Sequence, residues 1–173
     1  MNNTEFLRTL QDAFATFLST GSRSNQKLKI LHKKIANDIL SLLGNEYSVK
    51  SLGVNDDKEA KLEGKYFDKN VDITFFRKDG KKSVAIAAIG VKMVMQNYAQ
   101  NSNNYFENMM GETANIRSNK IPYFQILAIP DQLPYYNDKK VITKWEGFSK
   151  HHAQKYVVMS KDDTEVTMHT PTK

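Results

Sequence analysis

"NVDITFFRKDGKKSVAIAAIGVKM", residues 70–93, decides the fold. Its first seven residues alternate and are rich in β-branched and aromatic side chains, the pattern of a half-buried strand. Asp79-Gly80 follows, a pair that favours a tight hairpin. The run from Ser83 to Met93 is apolar at both parities and predicts a strand covered on both faces. A turn centred between Gly80 and Lys81 sets Asp72 opposite Ile89, and a centre one step earlier sets it opposite Ala87. Either register carries the head of the first strand to the tail of the second. Gly90 and Lys92 share a face, because side chains alternate along a strand. Asp72 and Lys92 are therefore expected to meet at one corner of the sheet.

Upstream, residues 4–18 place Phe6, Leu7, Leu10, Phe14, Phe17 and Leu18 at helical spacing, with Thr4 as cap. Residues 25–43 predict a second amphipathic helix that turns Leu28, Leu31, Ile35, Ile39 and Leu42 inward and ends at Gly44. "EYSVKSLGV" and "AKLEGKYFD" read as short extended pieces around the charged turn "NDDKEA". Downstream come a helix from about Ser102 to Ile116, a buried strand over 121–130, a late helix over 143–156 and a frayed or edge segment at 165–173. Two helices, a β-meander, a helix and a strand predict an α/β fold, a mixed central β-sheet flanked by helices on both faces. One domain over 1–173 is expected, with a helical part at 1–44.

Net charge is +6 and the pI about 9.3, which favours a polyanionic partner. No cysteine is present, so disulfides and thiolate metal sites are excluded. No apolar run approaches the roughly 18 residues of a membrane span, and the N-terminus lacks a signal-peptide layout; no membrane association and a cytoplasmic setting are expected. No phosphate-cradling Gly-rich loop, zinc-ligand cluster or serine elbow appears.

An acid and a lysine at one sheet corner suit phosphodiester hydrolysis, the carboxylate holding Mg²⁺ and the ammonium orienting water or offsetting developing charge. A helix, a hairpin with "NVDITFF" on one strand and "GVK" (90–92) ending the next, then a helix and a strand resembles the PD-(D/E)XK nuclease superfamily, most of all its type II restriction endonucleases. The resemblance covers residues 46–130. It implies a restriction endonuclease-like core and a Mg²⁺-dependent, site-specific deoxyribonuclease. Such an enzyme would cut double-stranded DNA as a homodimer, leaving a 3′-hydroxyl and a 5′-phosphate.

Gly90 departs from that pattern, since the superfamily usually carries Asp or Glu there as second metal ligand. In some restriction enzymes of this kind the acid has moved to the next helix. Glu107 is preferred to Glu112 for that role, because the two are rotated by about 140° on one helix and cannot share a metal. The resemblance thus implies Asp72, Lys92 and Glu107 as catalytic and Asp72 and Glu107 as metal ligands. Glu63 is a further ligand; it and Glu59 precede the Asp strand. Lys27, Lys33 and Lys34 belong to a cationic run free of acids, and with Asn103 and Asn104 they are the candidate DNA contacts. The alternative is a catalytically inactive DNA-binding or protein-interaction module on the same fold; a nuclease for structured or damaged DNA is a third reading. His151-His152, Tyr135-Tyr136 and Trp145 are read as surface or packing residues.

Overall fold

The computed structural model describes residues 3–159, and the expected edge segment at 165–173 lies outside them. In chain order the elements are α1 (Asn3–Thr20), α2 (Gln26–Leu43), β1 (Tyr47–Ser51), β2 (Ala60–Leu62), β3 (Lys69–Val71) and β4 (Ile73–Asp79). Then follow β5 (Lys82–Met93), α3 (Tyr98–Arg117), β6 (Tyr123–Ala128), β7 (Gln132–Tyr136), β8 (Ile142–Gly147) and α4 (Lys150–Met159). The chain separates into two compact units. Among the described residues, one comprises 3–92 with Glu112–Ile126, the other Met93–Gly111 with 127–159.

In the first unit α1 packs on α2, burying Ala13 and Phe17 from one helix and Leu31, Ile35 and Ala36 from the other. Their apolar residues recur at helical spacing, so each helix has one face to bury. Leu42, expected inward, is 80% exposed in the last turn of α2. The short link between the helices is fixed from inside. Lys27 is buried, and its Nζ donates to the carbonyls of Ser22 at 2.9 Å and Ser24 at 2.5 Å. These bonds tie the Lys27 ammonium to the link between the helices.

The main sheet has strand order β1-β4-β5-β6. β1, β4 and β5 are antiparallel neighbours. The Ala88 amide donates to the Pro122 carbonyl and the Val94 amide to the Ala128 carbonyl, a constant offset that makes β6 parallel to β5. The sheet is therefore mixed, as expected. One parity of β4 and β5 carries Phe76, Ala85 and Ala88 into a cluster with Leu62, Val71, Tyr123 and Ile116 of α3. The other carries Ile73, Phe75 and Ile89, continued by Val49 of β1. α2 packs on β1 and β4 and contributes nothing to the first cluster, so it covers this second face.

The hairpin turn is where one register put it, with Asp79 opposite Lys82 and Gly80 at φ 59°. A positive φ at the first central residue is the type II′ geometry that matches strand twist. Phe76 pairs with Ala85 but Phe75 with Ala87, so Ile86 is an extra residue, a β-bulge. That bulge advances the register by one, and Ile73, not Asp72, stands opposite Ile89. Asp72 is thereby carried level with Gly90, which neither simple register foresaw.

The second unit has its own core of Val94, Tyr98 and Leu133, with Leu127, Ile129 and Phe148 packed against it. Residues expected as a late helix over 143–156 divide: Ile142–Gly147 pairs antiparallel with β7, and α4 starts only at Lys150. Thr143 and Trp145 favour a strand, and Gly147 ends it before a helix can begin.

Candidate metal centre

Three segments of the first unit converge. The first is α2, where His32 follows Leu28 by four and precedes Ile35 by three, inside the apolar stripe. The second is the loop 52–59, which docks on the same helix. Gly53 lies so close to the Lys29 backbone that a Cβ there would meet the Lys29 carbonyl at 2.5 Å, and its φ of 77° suits glycine. Asp57 forms an ion pair with Lys29 and also accepts the Gly53 amide at 2.5 Å. Lys29 and His32 are neighbours on one helix face, so this docking delivers Glu59 to His32. The third segment is the joint at Asp72, the single residue between β3 and β4. Because Ala60 pairs with Val71, Glu59 and Asp72 stand side by side at the root of the β2–β3 hairpin.

One ligand atom each of His32, Glu59 and Asp72 lie within 4.8 Å of one another. A divalent cation with bonds near 2.1 Å sets its ligands roughly 3 Å apart when adjacent and about 4.2 Å when opposite. Closing this cluster on an ion is thus a movement of an ångström or less. His32 is 0% exposed, and neither ring nitrogen has a hydrogen-bond partner among the described residues. An unpaired buried polar group costs about 1–3 kcal/mol, and a bound cation would supply the missing partner. Asp72 is anchored, its Oδ2 accepting the Val91 amide at 2.6 Å.

Electrostatics point the same way. Burial holds the His32 imidazole below its usual pKa, with Asp72 opposing that shift. Burial and the Asp72 charge together raise the Glu59 carboxyl, while Lys69 opposes. Two half-buried carboxylates that repel one another beside a neutral imidazole are the donor set of a dication. His32, Glu59 and Asp72 fit it.

Gly90 has a steric explanation. A Cβ at this position would stand 2.2 Å from the Tyr123 hydroxyl and 3.7 Å from Glu112 Oε2. Tyr123 Oη donates to Glu112 Oε2 at 3.2 Å, and Glu112 Oε1 pairs with Lys69 at 2.8 Å. Burial, and after it the Glu112 charge, push the Tyr123 phenol well above its usual range, so it stays a donor. The space beside β5 into which a side chain at position 90 would project is filled by a tyrosine hydroxyl, and a carboxylate from α3 stands next to it.

Asp72 is in the centre, and Lys92 is the next residue on its face of β5 beyond Gly90, about 7 Å along the strand. Lys92 is half-buried, and no acid among the described residues pairs with it. Glu107 belongs to the second unit and is exposed; the α3 acid beside Gly90 is Glu112. Glu63 is exposed in the β2–β3 turn, where its carbonyl accepts Asn119 Nδ2 at 2.7 Å, and Glu59 is the acid beside Asp72. Lys34 is paired with Asp38 at 2.9 Å and Glu5 at 3.1 Å, whereas Lys33, Asn103 and Asn104 are exposed. The sequence reading missed His32. Its one signal was an imidazole set among leucines and isoleucines on the buried stripe of α2.

No helix among the described residues is long and apolar enough to cross a membrane. The chain matches no protein-family profile, no curated protein and no solved structure.

Proposed function

We propose that the chain is a divalent-cation-dependent endonuclease built on a PD-(D/E)XK-like core, cutting double-stranded DNA at a short site as a homodimer. The observation that carries this reading is the convergence of His32, Glu59 and Asp72 within 4.8 Å, with Lys92 on the adjoining strand end. When bound, a divalent cation supplies Lewis-acid polarisation of a phosphate and a more acidic water. Asp72 and Glu59 bring two negative charges, and the Val91 amide fixes how Asp72 presents them. Lys92 orients the attacking water and offsets the charge that grows on the phosphate. The net charge of +6 draws the polyanion in.

Incubation with supercoiled plasmid and Mn²⁺ or Mg²⁺ tests the proposal. Wild-type protein is expected to cut, and Asp72→Asn or Lys92→Ala to lower the rate by about 100-fold or more. Discrete bands support sequence-specific cutting, and a smear supports action on structure or damage.

The Tyr123 hydroxyl in the space beside Gly90 favours a second reading, a binding module without chemistry. No cleavage with either cation, and DNA binding unchanged in Lys92→Ala, would move the assignment there.

A further inference from the structure

We propose that the His32–Glu59–Asp72 centre takes a first-row transition-metal dication of the Mn²⁺-to-Zn²⁺ series in preference to Mg²⁺, and that the His32 imidazole makes the distinction. This deepens the metal-site part of the reading above and does not depend on DNA cleavage.

The argument starts from the donor set. Mg²⁺ wants six oxygens in near-ideal octahedral order, gives up water reluctantly and is usually held by one or two carboxylates with several waters retained. A nitrogen ligand offers it little. First-row transition ions bind imidazole well, with affinity rising from Mn²⁺ through Co²⁺ to Cu²⁺. Here one of three converging donors is an imidazole at 0% exposure, with both nitrogens unpaired among the described residues. A centre for Mg²⁺ alone would gain nothing by burying it, yet would still carry the cost of an orphaned ring.

The second step is that, among the described residues, no further carboxylate joins the three clustered groups to replace the nitrogen. Gly90 has none. Glu112 is already engaged, by Lys69 at 2.8 Å and by the Tyr123 hydroxyl at 3.2 Å, and is not among the three clustered groups. The protein's share of the coordination shell is one nitrogen and two carboxylates, whose two charges match a dication. Position reinforces chemistry: His32 sits mid-helix between the buried Leu31 and Ile35, so its ring cannot turn out to water without unpacking α2.

Equilibrium dialysis of the full chain, without nucleic acid, against Mn²⁺, Co²⁺ and Mg²⁺ tests this. Wild-type protein is expected to bind Mn²⁺ at least tenfold more tightly than Mg²⁺, and Co²⁺ more tightly than Mn²⁺. His32→Asn, which replaces the imidazole with an amide, is expected to weaken Mn²⁺ binding more than Mg²⁺ binding and bring the ratio below tenfold. Should that variant not fold, ¹⁵N-histidine spectra of the wild type answer alone, since sub-stoichiometric Mn²⁺ should broaden the His32 ring resonances and Mg²⁺ should not. A wild-type ratio below tenfold, or His32 ring signals untouched by Mn²⁺, overturns the proposal. Selective binding without cleavage would leave it standing and remove the nuclease reading; cleavage without selectivity would do the reverse.

Discussion

Gly90→Ala should be far more costly than its size suggests, and the cost should depend on one oxygen atom. A new Cβ would stand 2.2 Å from Tyr123 Oη, about 1 Å inside ordinary contact. Tyr123 is 2% exposed and packed with Ala88 and Ile116, so its ring has no free direction. Overpacking of this kind costs about 1–3 kcal/mol. Displacing the hydroxyl also breaks its bond to the Glu112 carboxylate, about 1.5 kcal/mol for a charged acceptor. Against this stands a gain of roughly 0.5–1 kcal/mol for alanine over glycine in a strand. The net expectation is a loss of about 1.5–4 kcal/mol. In a Tyr123→Phe background the nearest remaining atom is Cζ at 3.1 Å, which a small ring shift accommodates. There the same substitution should cost less than about 1 kcal/mol. Urea unfolding of wild type, both single variants and the double variant gives the coupling energy, expected near 2 kcal/mol. Additivity within about 0.5 kcal/mol would refute the claim that Tyr123 is what requires glycine at position 90.

Asn115 is 1% exposed and ties the turn of the β2–β3 hairpin: its Oδ1 accepts the Tyr66 amide at 2.9 Å and its Nδ2 donates to the Phe67 carbonyl at 2.9 Å. Asn115→Ala should cost about 2–3 kcal/mol, with Tyr66 and Phe67 amides losing hydrogen-exchange protection first; unchanged protection there would count against the tie. Lys27→Ala should cost about 2 kcal/mol by freeing the link between α1 and α2, while the exposed Lys33→Ala stays within about 0.5 kcal/mol in stability and weakens DNA binding instead. Equal effects in urea melts and gel shifts would contradict that division. Burial lowers the folded pKa of His32 beneath its ordinary 6.5, so below pH 6.5 the unfolded chain takes up a proton that the folded one refuses. Stability of the metal-free protein should therefore fall as pH drops from 6.5, by up to about 1.4 kcal/mol per unit. The raised Glu59 carboxyl acts with the opposite sign, the folded form binding the extra proton, so melts between pH 7.5 and 6 are run beside Glu59→Gln, which removes that contribution. A flat profile over that window would contradict a buried neutral His32.

The main secondary elements could be read from the sequence because local chemistry sets them. α1 and α2 follow from period-3.6 stripes, and the β4–β5 hairpin from alternation and Asp79-Gly80. The bulge at Ile86 could not be read, since "VAIAAIG" is apolar at every position and no parity marks the extra residue. That one residue decided which side chain Asp72 faces. Asp72 and Lys92 were visible as charged residues bounding apolar strands. His32 was hidden because a lone histidine on a buried stripe looks like packing until coordinates show two carboxylates beside it. The choice between Glu59 and Glu63 turned on the docking of the 52–59 loop through Asp57 and Lys29, a contact between residues 28 apart in sequence. Glu112 came to Gly90 by the same kind of long-range geometry, as the phase of α3 against β5 is not written in α3 itself.

Crystals soaked in Mn²⁺ and measured at the manganese absorption edge test the centre most directly. The account predicts one anomalous peak in the first unit, about 2.0–2.3 Å from a His32 ring nitrogen and from one oxygen each of Glu59 and Asp72. No peak at that cluster, or a peak held by other side chains with the His32 ring hydrogen-bonded to protein, would contradict it.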